Sequence, residues 1–130
     1  MGRLNEKQLE MLRSGKHFGA VATVGADGAP QTSIVWLDTD GENLVFNTTN
    51  KRAKGRNLRS NPRVSVSVWD YDDPYKYFEV VGSAELTEEG AAEHIHELSR
   101  RYSGVDFHTP SDRVIVKVRP ERVLDHGVSS

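Results

Sequence analysis

Residues 18–49, FGAVATVGADGAPQTSIVWLDTDGENLVFNTT, decide the fold class. Phe18, Ala20, Ala22 and Val24 alternate with Gly19, Val21, Thr23 and Gly25, the period of a strand that turns one face inward. Asp27-Gly28 then suits a tight hairpin, because glycine accepts the positive φ such turns need. The chain returns through Gln31 to Asp38, carrying Ile34, Val35, Trp36 and Leu37, and turns again at Asp40-Gly41. Leu44, Phe46 and Thr48 follow on one face of a third strand. Three strands joined by two Asp-Gly turns read as an antiparallel meander. No crossover helix fits between them, which argues against a doubly wound parallel sheet.

Upstream, Asn5 and Gln8 have capping-box spacing for a helix running to about Ser14, with Leu9 and Leu12 facing inward. Downstream, Asn61-Pro62 ends a basic stretch, and Val64, Val66 and Val68 alternate with polar residues as the cleanest strand of the chain. A long strand is expected from Tyr75 to Leu86, followed by a helix capped by Thr87 with Glu88 and Glu89 in its first turn. Ala91, Ile95, Leu98 and Tyr102 form that helix's apolar stripe. After a loop from Ser103 to Asp112, Val114, Val116 and Val118 make a last strand that Pro120 stops. The pattern predicts one mostly-β domain over residues 1–130, with six antiparallel strands in a closed or nearly closed barrel and short helices at its side.

Composition bounds the chemistry. The 130 residues are 36% hydrophobic and 28% charged with a mean hydropathy of −0.59, as expected of a soluble folded domain. No run approaches the roughly 18 apolar residues of a membrane helix. The opening MGRLNEKQLEMLRSGK has no apolar signal core, so the expected location is cytoplasmic. The absence of cysteine removes disulfides, thiolate nucleophiles and thiolate metal sites.

The net charge of −2 conceals a strong asymmetry. Between Asn43 and Trp69 stand Lys51, Arg52, Lys54, Arg56, Arg59 and Arg63, with no Asp or Glu among them. In NTTNKRAKGRNLRSNP, residues 47–62, a helix beginning near Lys51 puts Arg52, Arg56 and Arg59 on one side and Lys54 and Leu58 on another. Free amides at a helix start, a positive dipole end and clustered cations suit a phosphate. A merely solvated basic helix is the plainer reading, but such helices usually mix signs. Nucleic acid is disfavoured by a pI of 6.2, the lack of aromatics within the patch and acidic flanks.

Other constellations are weak. His94 and His96, two apart on a helix, point away from each other, and His17, His108 and His126 have no ligand-like spacing, so no metal site is expected. Gly-x-Ser-x-Gly, Gly-x-Gly-x-x-Gly and Walker-type sequences are absent. Trp69 is expected in the core or at a subunit contact; Trp36 stays open. Tyr75, Lys76, Tyr77 and Phe78 either line a flat ring's pocket or cover a dimer interface.

The order ATVGADGAPQTSIVW, NTTNKRAKGRNLRSNPRVSVSV, DDPYKYFEVVGSAELTEEG and a valine-rich strand ending RPERV resembles the split β-barrel superfamily of pyridoxamine-phosphate-oxidase-like flavoproteins. More narrowly, it is similar to the small deazaflavin-dependent oxidoreductases that use coenzyme F420. The resemblance spans roughly Phe18 to Val123. It implies a homodimer with cofactor sites between the barrels, and hydride transfer between reduced deazaflavin and a small conjugated acceptor. It places Lys54 on cofactor phosphate, with Arg52, Asn57 and Lys51 as neighbours. Ser33, Ile34 and Val35, with Asn47, Thr48 and Thr49, would border the ring. No catalytic side chain is implied. The alternatives are an FMN oxidase or flavin reductase of the same fold, in which Lys54 takes the FMN phosphate, and a non-enzymatic cofactor- or tetrapyrrole-binding protein.

Overall fold

The computed structural model describes residues 2–108 and 111–129. Along the chain lie α1 (Glu6–Arg13), β1 (Phe18–Val24), β2 (Pro30–Trp36), β3 (Asp38–Thr39), β4 (Leu44–Thr49), α2 (Ala53–Ser60), β5 (Arg63–Trp69), β6 (Tyr77–Thr87), α3 (Ala91–Ser103) and β7 (Arg113–His126). All the strands pair antiparallel in one sheet of order β2-β1-β5-β6-β7-β4-β3. β2 and β3 form its two edges, yet only Leu37 separates them in sequence. The sheet must therefore curl until its edges approach, which makes it a split barrel.

The alternations seen in the sequence decide what fills it. Val21, Val66, Val68, Phe78, Val80, Val116 and Val118 are fully buried, while Ala20, Ser67 and Glu79 occupy the outer face of the same strands. α1 begins as its capping box requires: Gln8 N donates to Asn5 Oδ1 at 2.9 Å and Asn5 N to Gln8 Oε1 at 2.8 Å. Leu9 and Leu12 of α1 join the core.

Several boundaries differ from expectation. There are seven strands rather than six, because Leu37 interrupts the run from Gln31 and leaves Asp38–Thr39 to pair with β4. β6 starts at Tyr77, since Asp70 ties the preceding turn by accepting from the amides of Asp72 and Asp73. α3 is not capped by Thr87. β6 runs through that residue, and Gly90, at a left-handed φ of 78°, starts the helix, so Glu88 and Glu89 lie before its first turn. Pro120 does not stop β7, which continues to His126. The register slips beside it, from Gly82 opposite Pro120 to Val81 opposite Arg122, so Glu121 is the extra residue of a bulge, a place where sheets accept proline. Of the loop expected from Ser103 to Asp112, Thr109 and Pro110 lie outside the described residues.

Candidate functional site

α2 closes the split. It packs against β1, β2 and β4 and sends Leu58, 2% exposed, into the core. A Cβ on Gly55 would meet the Thr49 carbonyl oxygen at 2.1 Å, so only glycine lets the helix approach β4 this closely. Arg52 cannot cap with its side chain; Thr49 Oγ1 accepts from Arg52 N at 3.1 Å instead. Asn57 Nδ2 donates to Thr23 Oγ1 at 3.0 Å and pins the helix to β1. Asp112 fixes the approach to the helix. Held at a φ of 59°, it accepts from Asn50 N and Lys51 N, each at 3.2 Å, and thereby sets Arg113 beside α2.

Where these elements meet lies a cavity of about 220 Å³. Its polar lining is Asn47, Arg52, Lys54 and Arg113; its apolar lining includes Phe18, Trp36, Ile95, Leu98 and Phe107. No carboxylate lines it among the described residues. Of the six cations in the acid-free stretch, Arg59 and Arg63 reach Glu88 and Glu121 across the fold, and Arg56 bonds the Lys51 carbonyl. Among the described residues, the side chains of Arg52 and Lys54 have neither an ion pair nor a hydrogen bond.

Burial, then repulsion from Arg52 and Arg113, holds the Lys54 ammonium below the usual lysine range. Arg113 is pulled down to about 10, first by burial and then by Arg52. Three cations thus repel one another around one opening, an arrangement that an anion stabilises.

A buried chain of hydrogen bonds fixes the floor. Arg113 Nε donates to Asn47 Oδ1 at 2.8 Å. Asn47 Nδ2 donates to Ala91 O and meets His94 Nδ1, both at 3.0 Å. His94 Nε2 meets Asp38 Oδ2 at 2.9 Å. Burial pushes the Asp38 carboxyl up, but hydrogen bonds from His94, Arg101 and Thr39 N outweigh it and keep the group below its ordinary value. With Asn47 donating to Nδ1, His94 carries its proton on Nε2 toward Asp38.

The expected site residues divide. Ile34, Val35, Asn47, Arg52 and Lys54 line the cavity. Ser33 and Thr48 do not, but Ser33 Oγ and Thr48 Oγ1 are buried without a hydrogen-bond partner, as is Gln31 Oε1. Ser33 shares its face of β2 with buried Val35, and Thr48 its face of β4 with core Leu44 and Phe46, so these atoms lie on the interior side of their strands rather than among the cations. Thr49 and Asn57 support α2 from outside the cavity, and Lys51 is exposed. Tyr75, Tyr77 and Phe78 are not in the lining: Tyr75 is exposed, Tyr77 stacks on His126, and Phe78 is core. Arg113, Phe107, Phe18, Ile95 and Leu98 are additions that only the fold reveals, although α3's apolar stripe contained the last two.

The sequence profile of pyridoxamine 5'-phosphate oxidase matches residues 4–127, almost the whole chain. The chain belongs to the pyridoxamine 5'-phosphate oxidase family. Among solved structures of this fold, one named F420 reductase is 39% identical, covers 92% of this chain and 98% of its own, and superposes with a TM-score of 0.79. The conserved hypothetical protein Rv2991 from Mycobacterium tuberculosis is 27% identical over 97% of this chain and 88% of its own, at a TM-score of 0.73. General Stress Protein 26 from Bacillus anthracis shares the fold at 22% identity and a TM-score of 0.68, covering 91% of this chain and 89% of its own. Among the described residues of this family member, no helix is long and apolar enough to cross a membrane.

Proposed function

We propose that this chain is an F420-dependent oxidoreductase that works as a homodimer and reduces a small conjugated acceptor. The observation that carries the reading is the pair Arg52 and Lys54 in the cavity lining, without a carboxylate there and, among the described residues, without a hydrogen-bond or ion-pair partner for either side chain. These groups would hold the phosphate and polar edge of the cofactor, and the 39% identical F420 reductase supports the choice of deazaflavin. Bound there, reduced deazaflavin supplies a hydride. The protein's part is to orient and to exclude water. Lys54 and Arg52 neutralise the phosphate, backbone groups of Ser33 to Val35 border the ring, and Ile34, 60% exposed at the cavity rim, is where a second copy would complete the wall.

FMN is the second reading, favoured by the family the chain belongs to, and it would use the same cations. Parallel fluorescence titrations with F420 and FMN decide between them, the expected result being tighter capture of F420. Lys54→Ala is expected to weaken capture by about 1–3 kcal/mol, the range for losing a charged hydrogen bond. An unchanged Kd in that variant would overturn the assignment of Lys54.

A further inference from the structure

The cavity contains a cation and aromatic walls that phosphate capture does not use. Arg113 is 8% exposed, and its guanidinium makes one hydrogen bond, through Nε to Asn47. Among the described residues, neither Nη finds a partner. The group lies over the Phe107 ring, 5.0 Å from its centroid, so its plane is fixed from two directions. A buried guanidinium with its outer fork unused is costly unless something anionic arrives, and a fork of that shape matches the two oxygens of a carboxylate.

The walls beside it are flat. Trp36 rests one face on Tyr102, with centroids 5.4 Å apart and planes 11° from parallel, and meets Phe107 at 87°. Ile95 and Leu98 of α3 complete an apolar slot. The whole cavity, Arg52 and Lys54 included, is about 220 Å³, below the roughly 300–1,000 Å³ of sites for drug-sized ligands, so the slot within it suits no more than a single ring with a short substituent.

We propose that this slot binds a planar conjugated monocarboxylic acid, its carboxylate in the Arg113 fork and its ring against Trp36 and Phe107. Identifying that acid with the substrate rests on the F420 reading above; the binding itself does not.

The test uses cofactor-free protein and trans-cinnamate as the probe. Calorimetry measures affinity, and the NMR signal of the Trp36 indole, assigned against Trp69→Phe, reports the location. Cinnamate is expected to move that signal, and cinnamamide, of the same shape without the charge, to bind at least tenfold more weakly. Arg113→Gln is expected to lower cinnamate affinity at least tenfold, with Arg113→Lys between it and the parent. Inorganic phosphate at equal concentration is expected not to displace cinnamate. Equal affinity for acid and amide overturns the proposal. So does displacement by phosphate, or retention of cinnamate by a folded Arg113→Gln that has lost phosphate; in either case Arg113 serves the cofactor's phosphate. If Arg113→Gln does not fold, the acid and amide comparison on the parent protein decides alone. A parent protein that takes cinnamate but neither F420 nor FMN sinks the cofactor reading and leaves this site standing.

Discussion

Lys54 is 5% exposed, and its charged neighbours Arg52 and Arg113 share its sign. Such a residue weakens the fold in order to serve a ligand, because a desolvated cation without a counter-charge is better replaced by an apolar chain of similar length. Lys54→Met is therefore expected to raise stability by about 1 kcal/mol, a Tm gain of about 3–5 °C for a chain of this size, while weakening capture of F420 or FMN as Lys54→Ala does, by about 1–3 kcal/mol. The pH dependence has a definite sign. The folded Lys54 holds its proton less tightly than the unfolded chain, whose value is near 10.5, so the penalty is fully present at neutral pH and fades as the pH climbs toward 10.5. Melting curves of both proteins from pH 7 to pH 10.5 check this: the gain should shrink with rising pH, and a gain that grows would contradict the account. The acid-free stretch marked the region in the sequence, and it was the family resemblance that picked Lys54 from its six cations. Arg113 could not be singled out there. It is one basic residue of 17, and only the curl of the sheet brings the start of β7 beside α2.

At the scale of elements, the site depends on how closely α2 presses on the end of β4. Gly55 sets that distance. Gly55→Ala places a methyl group 2.1 Å from the Thr49 carbonyl oxygen, a backbone atom that cannot swing aside. The helix must lift, taking Lys54 with it and drawing Arg52 N away from its Thr49 cap. The expected cost is about 2–3 kcal/mol of stability, typical of overpacking, together with weaker cofactor capture at temperatures where the variant is still folded. Chemical denaturation and a fluorescence titration on the same variant check both. Unchanged values in both would mean that α2 has slack. The existence of α2 was legible from Lys54 and Leu58 four apart. Its closeness to β4 was not, because a glycine within a basic helix reads only as a propensity defect until the neighbouring strand is known. The same limit explains the misplaced start of α3 and the early stop given to β7. Thr87 and Pro120 carry local signals for a cap and a terminus, and pairing between β6 and β7 overrides both.

At the scale of the molecule, the curled sheet leaves an outer face that neither the core nor the cavity uses. Across β2, β1 and β5, Ala20 pairs with Ile34 and Ser67, and Ala22 with Thr32 and Ser65, a flat row of small side chains with Ile34 standing out at its edge. The two Asp-Gly hairpins, β1 with β2 and β3 with β4, were readable, but the meander that would join them was not borne out: β2 is an edge of the sheet, and β4 pairs with β7 near the opposite edge. The meeting of this face with the cavity rim at Ile34 was not readable, because Ile34 and Val35 sit side by side in the sequence and are separated only by the pleat. If a second copy packs on this face, as the proposed homodimer requires, it closes the rim and the site is complete only in the pair. Ala22→Arg puts a long cation in the middle of the row while touching nothing in the barrel interior. The parent protein is expected to sediment at twice 14.5 kDa at micromolar concentration and the variant at 14.5 kDa, with melting behaviour that no longer depends on concentration and with weaker F420 capture. A parent monomer with full cofactor affinity would remove the shared site and leave Arg52 and Lys54 to hold the cofactor from one chain alone.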